Sequence, residues 1–308
     1  MRSGEVAVVG RPNAGKSTLV NRLVGEKVAI VSDKPQTTRK RILGVARLPD
    51  AEIALIDTPG IHRPKFRMNA AMVRDATDAL AGADLVLWVV DASDRPGEGE
   101  DFTLGLLAKA GRPVVLALNK IDIVRKETLL PRIAGLASRR SFLEVVPVSA
   151  RTGDGVDRLA SLLAGALPER PAAYPEDFLT STPESEWISE VIREKLLERA
   201  RQELPFATAV IIDAVREEPE KQMTVVTASV VVEKESQKGI VIGKGASMIR
   251  DIGQAAREEL ERESGRRFFL DLSVTVRPRW RDDERFLSRV VSDAGGSGRP
   301  RPHRRSRR

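Results

Sequence analysis

Between residues 6 and 149 the chain alternates short, nearly continuous apolar runs with longer stretches whose apolar positions recur at helical spacing. The runs cover 6–9, 53–56, 85–90, 114–118 and 145–148, and each ends in polar or glycine residues. A short run that is apolar at every position suits a strand buried on both faces. Strands of that kind, joined by crossover helices, predict a mostly parallel sheet with helices on both faces. Open α/β sheets bind ligands beyond the carboxyl ends of their strands, so the residues just after each run are where chemistry is expected. A helix over 159–167 closes this region.

The pattern then changes. Pro168, Pro171, Pro175 and Pro183 punctuate a segment predicted to resist regular structure, read as a linker over 171–186. Helical spacing resumes over 187–204, two alternating stretches follow at 207–215 and 224–234, and a glycine-punctuated turn leads to a helix near 249–263 and a strand at 268–276. The order α-β-β-α-β, with room for a split helix around the glycines, predicts a smaller α+β domain over 187–285. It follows an α/β domain over 1–170, and residues 286–308 form a tail.

Composition agrees with two domains. The chain has 308 residues, 41% hydrophobic and 31% charged, enough apolar material for a sizeable core and no signature of general disorder. The absence of cysteine excludes a disulfide scaffold, a thiolate metal site and a cysteine nucleophile. No apolar run approaches the ~20 residues of a membrane helix, and the start is too brief for a signal peptide, so a cytoplasmic location is expected. The net charge of +7 divides unevenly, at about +4 for 1–183, about −3 for 184–293 and +6 for 294–308. The tail, carrying Arg299, Arg301, Arg304, Arg305, Arg307 and Arg308 among glycine, proline and serine, is predicted to be disordered and to attract RNA, DNA and anionic lipid alike.

Four motifs stand at strand ends. Gly10-Arg11-Pro12-Asn13-Ala14-Gly15-Lys16-Ser17, with Thr18 beginning a helix, has the phosphate-loop pattern. Glycines let backbone N–H groups wrap phosphates, Lys16 neutralises them, and the Ser17 hydroxyl suits magnesium. Asp57-Thr58-Pro59-Gly60 places a carboxylate for magnesium and a glycine N–H for a γ-phosphate. Asn119-Lys120-Ile121-Asp122 supplies guanine selection, because one carboxylate accepts from two guanine donors that adenine lacks; the plainer reading makes Asp122 a helix cap. Ser149-Ala150 offers a backbone N–H to the guanine oxygen. Between the first two motifs Thr38, or alternatively Thr37, is expected to reach the magnesium. Lys16, Thr38, Gly60 and Asn13 are the candidate catalytic residues, with GTP or GDP and Mg2+ as cofactors. The residue after Gly60, where many GTPases carry a water-orienting glutamine, is Ile61, so unaided hydrolysis is expected to be slow. His62 reads as either a catalytic base or a mobile loop residue.

With GRPNAGKS at 10–17, PQTTR at 35–39, DTPG at 57–60, NKID at 119–122, IREKLL at 192–197 and QKGIVIGKGASMIRDIG at 237–253, the chain resembles the Era family of the TrmE-Era-like GTPase class over about residues 4–290. The resemblance implies a P-loop GTPase domain followed by a type II KH domain. It implies binding of the 3′ end of small-subunit (16S) ribosomal RNA, assistance to small (30S) subunit biogenesis, a monomer, and peripheral association with the inner face of the membrane. Related members hold potassium with the phosphate-loop asparagine, and Asn13 occupies that place, implying potassium-accelerated hydrolysis. Ile242, Gly243, Lys244, Gly245, Ala246 and Ile249 match the KH loop that meets single-stranded RNA, with Arg277 beyond the last strand joining them. Arg279, Arg281, Lys234, Lys238 and Arg250 are expected to line the same groove. The loop departs from Gly-x-x-Gly at Ala246, where a positive φ would cost roughly 1 kcal/mol.

A second reading uses the same residues. A membrane-associated signalling GTPase would read anionic lipid with its arginine tail and bind a protein with its second domain.

Overall fold

In the computed structural model of the chain, the described residues are 1–34, 36–62, 67–200, 204–291 and 300–302. They divide near Ser181 into two compact units. The first opens on β1 (Arg2–Val9), followed by α1 (Lys16–Val24), β2 (Ile42–Leu48), β3 (Ala51–Asp57), α2 (Arg67–Gly82) and β4 (Leu85–Asp91). Then come α3 (Glu98–Ala110), β5 (Val114–Asn119), α4 (Leu129–Ala137), β6 (Glu144–Pro147), α5 (Val156–Ala166) and β7 (Phe178–Pro183). The strands of this unit lie in the order β7-β2-β3-β1-β4-β5-β6. From β3 to β6 neighbours are parallel, while β2 is antiparallel to β3 and β7 to β2.

Why these runs become strands is visible at β1. Val6 and Val8 face a cluster with Leu19 and Val20 of α1 and Leu159 and Leu163 of α5. Ala7 and Val9 face the opposite cluster, with Leu80 of α2, Leu107 of α3 and Leu136 of α4. Side chains alternate across a strand, so a run apolar at every position feeds both cores. Burying each large aliphatic side chain contributes roughly 1.5–3 kcal/mol.

Residues 171–186 are not structureless. Leu179 is fully buried and Thr180 pairs with Gly44, so β7 joins the sheet beside β2, with Pro183 as its last residue and Glu184 opening the next helix. The apolar pair Phe178-Leu179 outweighs the prolines around it, because they precede the strand or, as Pro183, end it, and none interrupts its interior. β2 also escaped the apolar-run reading, because Gly44 and Arg47 interrupt it. Arg47 reaches Glu52 at 2.8 Å, and it donates to the Glu176 carbonyl at 3.2 Å.

The second unit contains α6 (Glu184–Arg199), α7 (Leu204–Ala207), β8 (Ala209–Glu218), β9 (Met223–Val232), α8 (Glu235–Ile242), α9 (Ser247–Ser264), β10 (Arg267–Val276) and α10 (Glu284–Val290). Its sheet has the order β10-β9-β8, with β10 parallel and β8 antiparallel to β9. The predicted helix over 187–204 starts three residues earlier and ends at Arg199. Its apolar face, Trp187, Ile188, Val191, Ile192, Leu196 and Leu197, is buried. α6 and α9 are further joined by Lys195, whose Nζ meets Glu259 at 2.6 Å and Glu194 at 3.3 Å.

The tail boundary at 286 is also corrected. Asp283 caps α10 by accepting from the Phe286 N–H at 3.1 Å, and Phe286 and Leu287 are buried beside Trp280. The unit therefore runs through Val291. Residues 300–302 form a short strand, and the rest of the arginine-rich tail, 292–299 and 303–308, lies outside the described residues.

Candidate nucleotide site and nucleic-acid interface

The turn between β1 and α1 wraps a space at the helix N-terminus. Gly10 has φ +157°, and a Cβ there would overlap the Val89 carbonyl oxygen. Gly15, at φ +92°, precedes the first residue of α1, and a Cβ there would strike the Asn119 amide. Both positions therefore exclude a side chain for reasons of space as well as conformation. Asn13 is exposed at the crest of the loop in a left-handed conformation, φ +63°, while Ala14 is buried. Lys16 is buried, donating from Nζ to the carbonyls of Gly10 at 3.3 Å and Arg11 at 3.1 Å. Burial brings its ammonium down from the ordinary lysine value to about 8, with the Asp57 carboxylate opposing. A buried cation beside a helix N-terminus that runs from Gly15 to Thr18 makes an anion site.

Asp57, the last residue of β3, meets both hydroxyls expected beside it. Its Oδ2 accepts from Ser17 Oγ at 2.6 Å and Thr38 Oγ1 at 3.2 Å, and the two hydroxyls lie 2.8 Å apart. Thr38, rather than Thr37, is the threonine brought to this cluster. Asp57 Oδ1 is buried and has no hydrogen-bond partner among the described residues. Burial raises the Asp57 pKa, against the pull of Lys16, Ser17 and Thr38. An unpartnered buried carboxylate oxygen beside two hydroxyls is a set of hard oxygen donors, which fits Mg2+.

Gly60 packs against Pro12, with no room for a Cβ. The Gly60–Ile61 peptide continues beneath the loop, where the Ile61 N–H donates to Gly10 O at 2.9 Å and the Ile61 side chain is buried in the sheet core. His62 is held at both ring nitrogens, by Gly60 O at 3.0 Å and Asn69 Nδ2 at 2.9 Å. Asn69 carried no sequence signal.

On the other side of the loop, Asn119 Nδ2 donates to Ala14 O at 2.8 Å and its Oδ1 accepts from the Ala150 N–H at 2.9 Å. Asp122 accepts from Ser149 Oγ at 2.7 Å and pairs with Arg151 at 2.5 Å. The Ser149 hydrogen bond, followed by weaker contributions that include Arg151, keeps the carboxyl below its ordinary range despite partial desolvation. Lys120 adopts φ +66° and places Nζ 2.6 Å from Asp91, which fixes its stem along the loop. Sequence reading missed Asp91 and Arg151. The first stands at the carboxyl end of β4, the kind of position already marked for chemistry, but no motif accompanied it.

In the second unit the turn from α8 to α9 carries Ile242, Gly243, Lys244, Gly245, Ala246 and Ile249. Gly243 has φ +73° and Gly245 φ +58°, and the Gly243 Cβ position is closed by Met248 at 2.9 Å. Ala246 does adopt the left-handed conformation, φ +60°, immediately before α9. Arg250 Nη2 donates to Gly245 O at 2.7 Å and braces the turn. Lys244 is exposed; Ile242 and Ile249 are half-buried. Arg277 pairs its guanidinium with Asp283 at 2.5 Å and lays it over the Phe286 ring, 4.6 Å from the centroid. Arg281 is likewise paired, with Glu233 at 2.5 Å. A guanidinium held by a carboxylate and an aromatic face anchors α10 while part of it stays exposed beyond β10.

Residues 5–120 match the family described as 50S ribosome-binding GTPase, and residues 203–281 match the KH domain. The chain is 48% identical over 289 residues to the GTPase Era of Geobacter metallireducens, covering 94% of this chain and 97% of that protein. It is 46% identical over 281 residues to that of Heliobacterium modesticaldum, covering 91% and 94%. A crystal structure of a point variant of Aquifex aeolicus Era bound to GDP·AlF4− superposes with a TM-score of 0.91 at 37% identity, covering 95% of this chain and 99% of that one. An Era structure in complex with MgGDPNP and nucleotides 1506–1542 of 16S ribosomal RNA gives the same TM-score, identity and coverage. A GTP-binding, GTP-hydrolysing unit joined to a KH domain, with close relatives along more than nine-tenths of its length, places this chain in the Era family of GTPases.

Proposed function

We propose that this GTPase works as a nucleotide-controlled RNA clamp on the small ribosomal subunit, binding the single-stranded 3′ end of 16S ribosomal RNA through its second unit while its first unit holds GTP. The observation that carries the RNA reading is the turn at 243–246. Three residues with positive φ, Gly243, Gly245 and Ala246, leave a bare backbone on which four nucleotides can lie, with Lys244 exposed beside it. Ile242 and Ile249 supply apolar flanks to the bases. Arg277, partly exposed beyond β10, is kept as a phosphate contact beside them.

In the first unit, residues 10–18 take the phosphates, with Lys16 neutralising their charge. Ser17, Thr38 and Asp57 would hold Mg2+, which bridges and neutralises phosphate oxygens when bound. The Gly60 N–H meets the γ-phosphate, and Asp122 selects guanine while Asn119 ties the two loops and Lys120 covers the base. Ser149 orients Asp122, and the Ala150 N–H faces the guanine oxygen. Asn13, exposed on the loop, is assigned potassium, which would offset the charge that no side chain at position 61 can manage. The work is assigned to the cytoplasm and to a monomer. Peripheral attachment to the inner face of the membrane is a secondary reading supported by the arginines of the tail.

The deciding experiment measures affinity of the full chain for a short RNA bearing that 3′ end, against a scrambled RNA, with GDP and with a nonhydrolysable GTP analogue. Sequence-dependent binding that strengthens in the GTP form is expected. Equal weak binding to both RNAs would overturn the target. Removal of 294–308 is expected to flatten the salt dependence and leave specificity intact, whereas loss of binding to anionic vesicles alone would favour the membrane role.

A further inference from the structure

One titratable side chain beside the nucleotide site has no part in the reading above. His62 lies two residues past Gly60, with both ring nitrogens engaged. The Gly60 carbonyl can only accept, so the ring proton sits on Nδ1. Nε2 then carries a lone pair, which receives the Asn69 amide hydrogen at 2.9 Å. That fixes which way the Asn69 amide faces and turns its Oδ1 toward Gln36 Nε2, 3.5 Å away. Donors therefore run in one direction, from Gln36 through Asn69 and His62 to Gly60.

The two ends of this chain of bonds matter. Gln36 stands two residues before Thr38, in a left-handed conformation with φ +64°, its Oε1 buried without a partner among the described residues. At the other end, the Gly60–Ile61 peptide is gripped on both sides: its carbonyl by His62, its N–H by Gly10 O at 2.9 Å. Gripping that peptide sets the direction of the neighbouring Gly60 N–H. Asn69, on the first turn of α2, is buried at 2% exposure, so the link is anchored in the core and is not a chance surface contact.

We propose that His62 is a positioning residue for GTP hydrolysis: through Asn69 and Gln36 it locks the Gly60 peptide and the Thr38 loop into one arrangement, so that neither is placed for reaction without the other. It touches no reacting atom, and its action is on geometry. The proposal rests on Gly60 and Thr38 being the γ-phosphate and magnesium contacts. Loss of one neutral hydrogen bond in the relay is expected to slow hydrolysis about two- to tenfold.

The test uses the full chain in single-turnover GTP hydrolysis, with nucleotide affinity measured alongside. His62→Asn keeps a donor at the Nδ1 position and loses the Asn69 link; His62→Gln keeps a group at the Nε2 position and loses the grip on Gly60. Both are expected to lower the hydrolysis rate with GTP affinity unchanged. His62→Ala and Asn69→Ala combined are expected to be no slower than the slower single variant. Because Asn69 is buried and its variant can unfold, nitrogen NMR of His62 in the parent chain gives an independent readout: the proton resides on Nδ1. Unchanged rates, losses that multiply, losses confined to GTP affinity, or an Nε2–H ring would each overturn the proposal. Gly60→Ala separates the two layers: if it hydrolyses at the parent rate, the site assignment falls and takes the relay with it. If it is slow while the His62 variants are not, the relay alone is wrong.

Discussion

Asn119 donates its side-chain amide to the carbonyl of Ala14 at 2.8 Å, across 105 residues of chain. The same side chain accepts from Ala150, so three loops from three strand ends share one buried residue. Asn119→Ala leaves the Ala14 carbonyl and the Ala150 N–H unpaired away from water. Unsatisfied buried groups cost about 1–3 kcal/mol each, so a loss of roughly 2–6 kcal/mol is expected in urea unfolding. GDP affinity is expected to fall with it. A variant as stable as the parent would mean that the three loops hold without the bridge.

Lys16 gives a pH dependence whose sign can be worked out. Its cationic form binds phosphate, and in the free protein burial lowers its pKa to about 8. A bound phosphate holds the proton on. Affinity for GDP is therefore expected to be flat below about pH 8 and to fall about tenfold per unit above it. Calorimetry in buffers of different ionisation enthalpy should register proton uptake on binding at about pH 8.5, just above that pKa.

Ala246 holds φ +60° with a Cβ that the conformation disfavours. Ala246→Gly is expected to stabilise the second unit by about 0.5–1 kcal/mol, the relief of left-handed strain less the extra freedom of glycine when unfolded. Chemical denaturation checks the first effect. RNA affinity at equal or greater strength is the second expected result.

Trp280 donates Nε1–H to Ala207 O at 3.1 Å and packs edge-on against Phe286, with centroids 5.7 Å apart. Phe286→Ala should cost about 3–5 kcal/mol, the usual range for emptying a buried aromatic site. Equal stability of the Phe286 variant would return the boundary to 285.

The proposed function gives Asn13 a potassium ion to hold. Hydrolysis is expected to run severalfold faster in potassium than in sodium buffer, and Asn13→Ala is expected to erase the difference. Equal parent rates in the two salts would remove the assignment.

The parts of this molecule legible in its sequence are those where one residue type answers one local demand. Val6 to Val9 had to be a two-faced strand because no position was polar, and Gly10 and Gly15 had to be glycine because neighbouring groups fill the Cβ positions. β7 was hidden by its prolines, since its pairing at Thr180 with Gly44 depends on a partner strand more than a hundred residues earlier. The intramolecular partners of Arg277 were not legible, because charge counting cannot see that Asp283 and Phe286 lie beside it. The Gln36–Asn69–His62 relay was invisible for the same reason: each of its residues is ordinary alone, and only the fold makes them neighbours.

Ile61 sets a limit on what substitution can do for this enzyme. Its side chain belongs to the apolar layer under the sheet, and its backbone N–H is already given to Gly10. Putting glutamine there would not hand the enzyme a water-orienting amide. It would sink an amide into hydrocarbon and loosen the strand end that carries Asp57 and Gly60. The lack of a water-orienting side chain at this position is thus wired into the folding core, and acceleration by that route is closed to a single substitution here. Such a protein keeps time more readily than it makes product.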